Sequence, residues 1–134
     1  MAKTRIGANA IFSGPQKGLS TLGDHSYAYS GGINVDQTGA GITLLEFTTG
    51  KEYQLMKFMF GRKDYSSDDI VFQIDLNGNA IGSFPSTSYA SPGLQGYDID
   101  LIIPPLSLVR VHGRNLTADT DRLCFALISG KVYA

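Results

Sequence analysis

The chain has 134 residues, of which 43% are hydrophobic and 17% charged, with a formal net charge of −1. That length fits one domain with a core of its own, and the near-neutral balance argues against a general nucleic-acid binder, whose surface is basic. Cys124 is the single cysteine, so an internal disulfide is excluded. No apolar run approaches the ~20 residues of a membrane span, so no insertion is expected.

Sixteen glycines, seven tyrosines, seven phenylalanines and no tryptophan point to strands and turns. Residues 1–24 are a compositional zone apart. Lys3, Arg5 and Lys17 are basic, no acid precedes Asp24, and Ser13-Gly14-Pro15 and Gly18 interrupt it. The stretch from Met1 to Phe12 also lacks the continuous apolar run of a signal peptide, and none is expected. This zone reads as an extended N-terminal arm, and residues 25–134 as the folded domain. The arm is expected to lie along a partner, using Lys3, Arg5 and Lys17 for ion pairs and Ile6, Ile11, Phe12 and Leu19 for apolar contact.

Alternation of apolar and polar residues then marks strand after strand. Tyr27 to Val35 comes first, with Gly31-Gly32 suggesting a bulge or a close backbone approach. Ile42 to Thr49 follows a turn. Tyr53 to Phe60 is apolar on both faces, so it is expected to lie centrally or against a second copy. Leu55, Met56, Phe58, Met59 and Phe60 are its candidate oligomer contacts. Residues 61–68 read as a polar loop. Ile70 to Leu76 is the cleanest alternation, and Asn77-Gly78 after it is the signature of a type I′ hairpin returning through Ala80 to Phe84. A Ser/Gly/Pro loop spans 85–96. Tyr97, Ile99, Leu101 and Ile103 then alternate with Asp98 and Asp100, until Pro104-Pro105 stops the strand. Leu106 to Val111 resumes beyond this rigid corner, which suggests a crossing between sheets. Arg122 to Tyr133 is the last strand. These eight short strands, with no helical period between them, predict an all-β antiparallel sandwich of jelly-roll type, with an immunoglobulin-like sandwich as the alternative.

Chemistry is sparse. His25 and His112 stand alone and read as polar residues at strand ends. Asp98 and Asp100, Asp119 and Asp121, and Asp64, Asp68 and Asp69 read as solvated, turn-favouring carboxylates without the spacing of a calcium loop. There is no nucleophile elbow, phosphate loop or dinucleotide fingerprint. Cys124 lies mid-strand among apolar neighbours, as a small buried hydrophobe would. Asn115-Leu116-Thr117 matches a glycosylation acceptor by chance spacing. The chain does not read as an enzyme, and no cofactor or metal is expected.

Three segments carry a resemblance: Leu44-Leu45-Glu46-Phe47-Thr48-Thr49-Gly50, Leu101 through Val111 with its Pro-Pro corner, and Ile128-Ser129-Gly130-Lys131-Val132-Tyr133. Together with the Gly-rich basic arm, the pattern over residues 26–133 resembles the single jelly-roll structural proteins of icosahedral virus and bacteriophage capsids, of cement, decoration or penton type. That resemblance implies a non-enzymatic virion protein, made in the host cytoplasm and placed on the capsid surface or vertex. It also implies a homotrimer or homopentamer that contacts a major capsid protein. The competing reading is a carbohydrate- or receptor-binding sandwich, with Tyr65, Tyr89 and Tyr97 as stacking platforms near loops.

Overall fold

The structure, a computed structural model, describes residues 16–17, 19–63, 68–86, 93–94, 99–117 and 122–133. These hold twelve strands: β1 (Gln16–Lys17), β2 (Ser20–Leu22), β3 (His25–Tyr29), β4 (Ile33–Val35), β5 (Ile42–Thr48), β6 (Tyr53–Arg62), β7 (Ile70–Leu76), β8 (Asn79–Ser86), β9 (Gly93–Leu94), β10 (Ile99–Ile103), β11 (Leu108–Asn115) and β12 (Arg122–Tyr133). No helix occurs among the described residues. The first sheet runs β9-β6-β12-β3-β2, with β10 also on β6 and β4 also on β12. The second runs β1-β5-β11-β7-β8. Every pairing is antiparallel except β1 with β5.

All eight expected strand regions are present, and their bounds show what alternation alone misses. The first is split into β3 and β4, both of which pair with β12. Ser30 fills the gap: its N–H donates to Ala126 O at 3.0 Å, and its Oγ accepts from Ala126 N at 2.8 Å. Gly31 follows at φ 68°, in the left-handed region, where the sequence suggested a bulge or a close backbone approach. Likewise β9 and β10 lie end to end along β6. Counting each interrupted pair as one strand gives a nested ribbon. Within the edge strands β1 and β2, the interrupted strand β3–β4 pairs with β12, β5 with β11, β6 with β9 and β10, and β7 with β8. Successive pairs alternate between the two sheets.

Three additions and two corrections stand against the sequence reading. Strands β1, β2 and β9 are short pairings in stretches read as arm or loop. In the described part of the arm, Gln16–Lys17 pairs with the second sheet and Ser20–Leu22 with the first. Leu19, expected to meet a partner, packs half-buried against the protein's own core. Lys3, Arg5, Ile6, Ile11 and Phe12 lie outside the described residues, and for Lys17 only the strand is described. Residues 61 and 62 continue β6 instead of opening a polar loop.

The core lies between the sheets. From β6 it takes Met56, Phe58 and Phe60, from β7 Ile70, Phe72 and Ile74, and from β11 Val109 and Val111. Phe60 stacks on Phe72 across the two layers at 4.9 Å between ring centroids and touches Phe84 at 5.3 Å. Leu44 and Leu45 are both fully buried although adjacent. A register shift at Val111/His112 makes Leu44 the extra residue of a bulge, so both side chains turn inward. Cys124 is buried as expected, and burial pushes its thiol up to about 12.

Two turns confirm their chemistry. Asn77 and Gly78 adopt φ 52° and 84°, the type I′ pair. The Asn77 side chain also accepts from Leu108 N at 2.8 Å, tying the hairpin to β11. Gly78→Ala forces a Cβ into the left-handed region, and a cost of about 1–2 kcal/mol is expected. A lower urea midpoint at unchanged slope checks it. At the Pro-Pro corner the chain leaves the first sheet at Ile103 and enters the second at Leu108. Thr49 holds it there. Its Oγ1 donates to Pro104 O at 2.9 Å and accepts from Ser107 N at 2.8 Å, while its N–H donates to Ser107 O at 2.9 Å.

Candidate functional site

Each sheet has an outer face, and the two differ in kind. On the second sheet, β7 and β11 alternate Ile70, Phe72 and Ile74 inward with Gln73 and Asp75 outward, opposite His112 and Arg110. Asp75 is the hub. Its Oδ2 lies 3.1 Å from His112 Nε2 and 3.9 Å from Arg110, and its Oδ1 accepts from Gln73 Nε2 at 2.8 Å. Arg110 donates from Nε to Thr43 Oγ1 at 2.7 Å and from a terminal nitrogen to Gly41 O at 3.1 Å.

His112 is therefore not the strand-end residue its position suggested. It sits within β11 at the bulge, largely buried, and burial together with Arg110 lowers its pKa against the pull of Asp75. Gly41, at φ 81°, packs so closely on the ring that a Cβ there would collide with Nδ1. On this face His112, Asp75 and Arg110 are thus bound into one polar network. His25 is the exposed first residue of β3, with Nδ1 2.9 Å from Asp24.

A second network closes one end of the sandwich. Arg62 is fully buried; it donates to Ser86 Oγ at 3.0 Å, Ser86 O at 2.7 Å and Asp68 O at 2.8 Å. Asp68, expected to be solvated, is only 4% exposed. Its Oδ2 accepts from Arg122 Nε at 2.6 Å and Asn115 Nδ2 at 2.9 Å, and these bonds hold its pKa below the ordinary carboxylate range. Asn115 is itself fully buried, so a glycan on its side chain does not fit this fold. Sequence gave no warning of this cluster, because its members come from β6, β8, β11, β12 and the segment before β7. Among the described residues no three His, Cys, Asp or Glu gather as a metal site would require.

The outer face of the first sheet is different. Strand β6 points Gln54, Met56, Phe58 and Phe60 inward, and Tyr53, Leu55, Lys57 and Met59 outward. Opposite residues of a ladder share a face, so the register lays out the surface. Tyr53, 54% exposed, stands against Tyr133 at 47%. Leu55 at 40% stands between Ile102 at 68% and Lys131. Met59 stands against Leu127, and Leu127 against Tyr29, whose ring lies 5.3 Å from that of Tyr27. Polar rows cross this face: Asp100 stands opposite Lys57, and Lys131 opposite His25. Exposed apolar groups thus stand on β10, β6, β12 and β3, divided by the row Asp100, Lys57 and Ser129.

Of the oligomer contacts expected in β6, Met56, Phe58 and Phe60 are therefore committed to the protein's own core. Leu55 and Met59 remain available to a partner. Ile102, Tyr53 and Tyr133 belong to the same surface and were missed. Tyr133 is the end of a strand already recognised, and only pairing shows that it meets Tyr53. Tyr65, Tyr89 and Tyr97 lie outside the described residues.

No family model and no curated protein matches the chain. Among solved structures, the crystal structure of the IBDV viral particle aligns with a TM-score of 0.46 at 9% identity, over 82% of this chain and 32% of that one. The crystal structure of the infectious bursal disease virus VP2 subviral particle gives 0.45 at 11%, over 81% and 32%. This chain spans about a third of the length of each.

Proposed function

We propose that this chain is a non-enzymatic structural protein of a virion, a jelly-roll subunit that assembles with copies of itself through the outer face of its first sheet. The observation that carries the self-association is the exposed row Ile102–Leu55 beside Tyr53–Tyr133, where one sheet face keeps large apolar groups in water. The jelly-roll reading rests on the nested ribbon of the eight main strand positions, β3–β4 with β12, β5 with β11, β6 with β9–β10 and β7 with β8, with β2 and β1 added as an edge strand to each sheet. The virion role rests on the capsid-like sequence pattern of residues 26–133.

Under this reading the oligomer is a homotrimer or homopentamer around a capsid symmetry axis, contacting a major capsid protein as cement, decoration or penton component. Lys131, with Nζ 5.6 Å from the Tyr133 ring centroid, and the facing Asp100 and Lys57 are polar positions within this face that orient copies. Light scattering at tens of micromolar tests the association. The wild type is expected to give an oligomeric mass. Leu55→Asp with Ile102→Asp is expected to give a folded monomer, since two charges replace the apolar contact. A monomeric wild type removes the assembly reading. Mass spectrometry of purified particles tests the virion role, and absence of the chain from them would sink it.

A further inference from the structure

A groove of about 500 Å³ lies where the two sheets meet near the start of β6, lined by Leu19, Thr21, Asp24, Thr48, Glu52, Gln54 and their neighbours. Two observations there point to a ligand. First, its charged lining is acidic. Asp24 already holds His25 at 2.9 Å and Lys131 at 3.8 Å, but Glu52 has no ion pair among the described residues. Second, Gln54 is 4% exposed, and its Oε1 finds no hydrogen-bond partner among the described residues. A buried amide oxygen left without a donor costs about 1–3 kcal/mol, so a ligand that brings an N–H gains what the fold leaves unmade.

The chain supplies a segment of matching chemistry. Residues 1–15 carry Lys3 and Arg5, no acid, and a row of main-chain donors. Strand β1 runs parallel to β5, with Gln16 beside Leu45 and Lys17 beside Glu46, so the chain enters β1 from the end of β5 remote from Thr48 and the groove.

We infer that the groove lined by Thr21, Asp24, Thr48, Glu52 and Gln54 seats the basic N-terminal segment, residues 1–15, of a second copy. The segment's N–H groups meet Gln54 Oε1, and Lys3 or Arg5 pairs with Glu52. This deepens the assembly reading and rests on it: the outer face brings copies together, and the groove decides where each arm goes. A single water would also satisfy Gln54, and the experiment separates the two.

Disulfide trapping suits this protein, because its own Cys124 is buried and unreactive. Full-length Ala2→Cys is mixed with full-length Gly50→Cys, one of them isotopically labelled, and the mixed dimer is scored by mass. Gly50 lines the groove, and a Cβ there meets only Glu52 Oε1 at an ordinary 3.5 Å. Gly39→Cys, in open space near the second sheet, is the control. The expected result is preferential trapping at position 50, falling about fivefold when Lys3 and Arg5 are both changed to Gln, the loss of one or two exposed ion pairs. Gln54→Leu is expected to lower trapping while leaving the protein at least as stable, since it removes the orphaned acceptor. Equal trapping at positions 39 and 50, or no response to either the arm or the Gln54 variant, overturns the inference. Light scattering on the same samples separates the failures. An oligomer without trapping removes only the arm's seat, whereas a monomer removes the assembly reading and this one with it.

Discussion

Arg62→Ala is expected to destabilise the protein by about 3–5 kcal/mol, the range for removing one partner from a buried charge network. The guanidinium is fully buried and reaches Ser86 and the Asp68 carbonyl with three hydrogen bonds of 2.7–3.0 Å. Truncation leaves those acceptors in a dry environment and opens a void beside Cys124, which stands opposite Arg62 in the ladder. Arg62→Met fills the void without supplying donors, so it is expected to recover part of the loss. A urea titration of the two variants separates cavity from hydrogen bond; equal and small effects would remove the network from any account of stability.

The same cluster sets a pH dependence. The Asp68 carboxyl is held below its ordinary pKa by Arg122 and Asn115, so its contribution is complete above the unfolded-state value of about 4 and is lost as pH falls through the folded-state value. His112 acts in the same direction from a higher pH. Its folded pKa lies below about 6.5, so acidification protonates the unfolded chain first and stability declines from there downward. Stability is thus expected to fall in two stages below neutrality, with Asp68→Asn diminishing the lower stage, and to fall again above about pH 8.5, where the unfolded chain's thiol ionises and the buried Cys124 does not.

Side-chain alternation made most of this architecture legible, because a strand with one face in the core writes its period into the sequence. Ile70 to Leu76, the Asn77-Gly78 turn and the Pro104-Pro105 crossing all follow from local chemistry that neighbours did not override. Strands β1, β2 and β9 are different in origin. They are two or three residues long and held by main-chain bonds, so no side-chain period announces them. Arg62 and Asp68 were missed for a related reason: a charge is buried only when partners from distant strands arrive together, and no local window contains them. The face of β6 was ambiguous in another way. A strand apolar on both sides does not say which side is inward. Gln54, a polar residue on the buried side, favours the opposite choice from the one the structure makes.

That ambiguity is resolved by Phe60→Ala, for which a loss of about 3–5 kcal/mol is expected. Phe60 is 1% exposed and sits between Phe72 at 4.9 Å and Phe84 at 5.3 Å, both from the opposite sheet. Deleting the ring removes the apolar transfer term and leaves a cavity that two stiff strands cannot close. The aromatic pair itself adds about 0.5–1.5 kcal/mol beyond area, so a double-mutant cycle with Phe72→Leu should show coupling of that size. For a chain of this length the melting temperature should drop by roughly 3–5 °C per kcal/mol. Association distinguishes core from interface. Below its lowered midpoint, folded Phe60→Ala is expected to keep the wild-type oligomeric mass, because its side chain never reaches the outer face. Leu55→Asp with Ile102→Asp should do the reverse, changing the mass while leaving the urea midpoint within about 0.5 kcal/mol of wild type, as surface substitutions do. A Phe60→Ala protein that is stable but monomeric would place this ring at the contact between copies, and with it the inward face of β6.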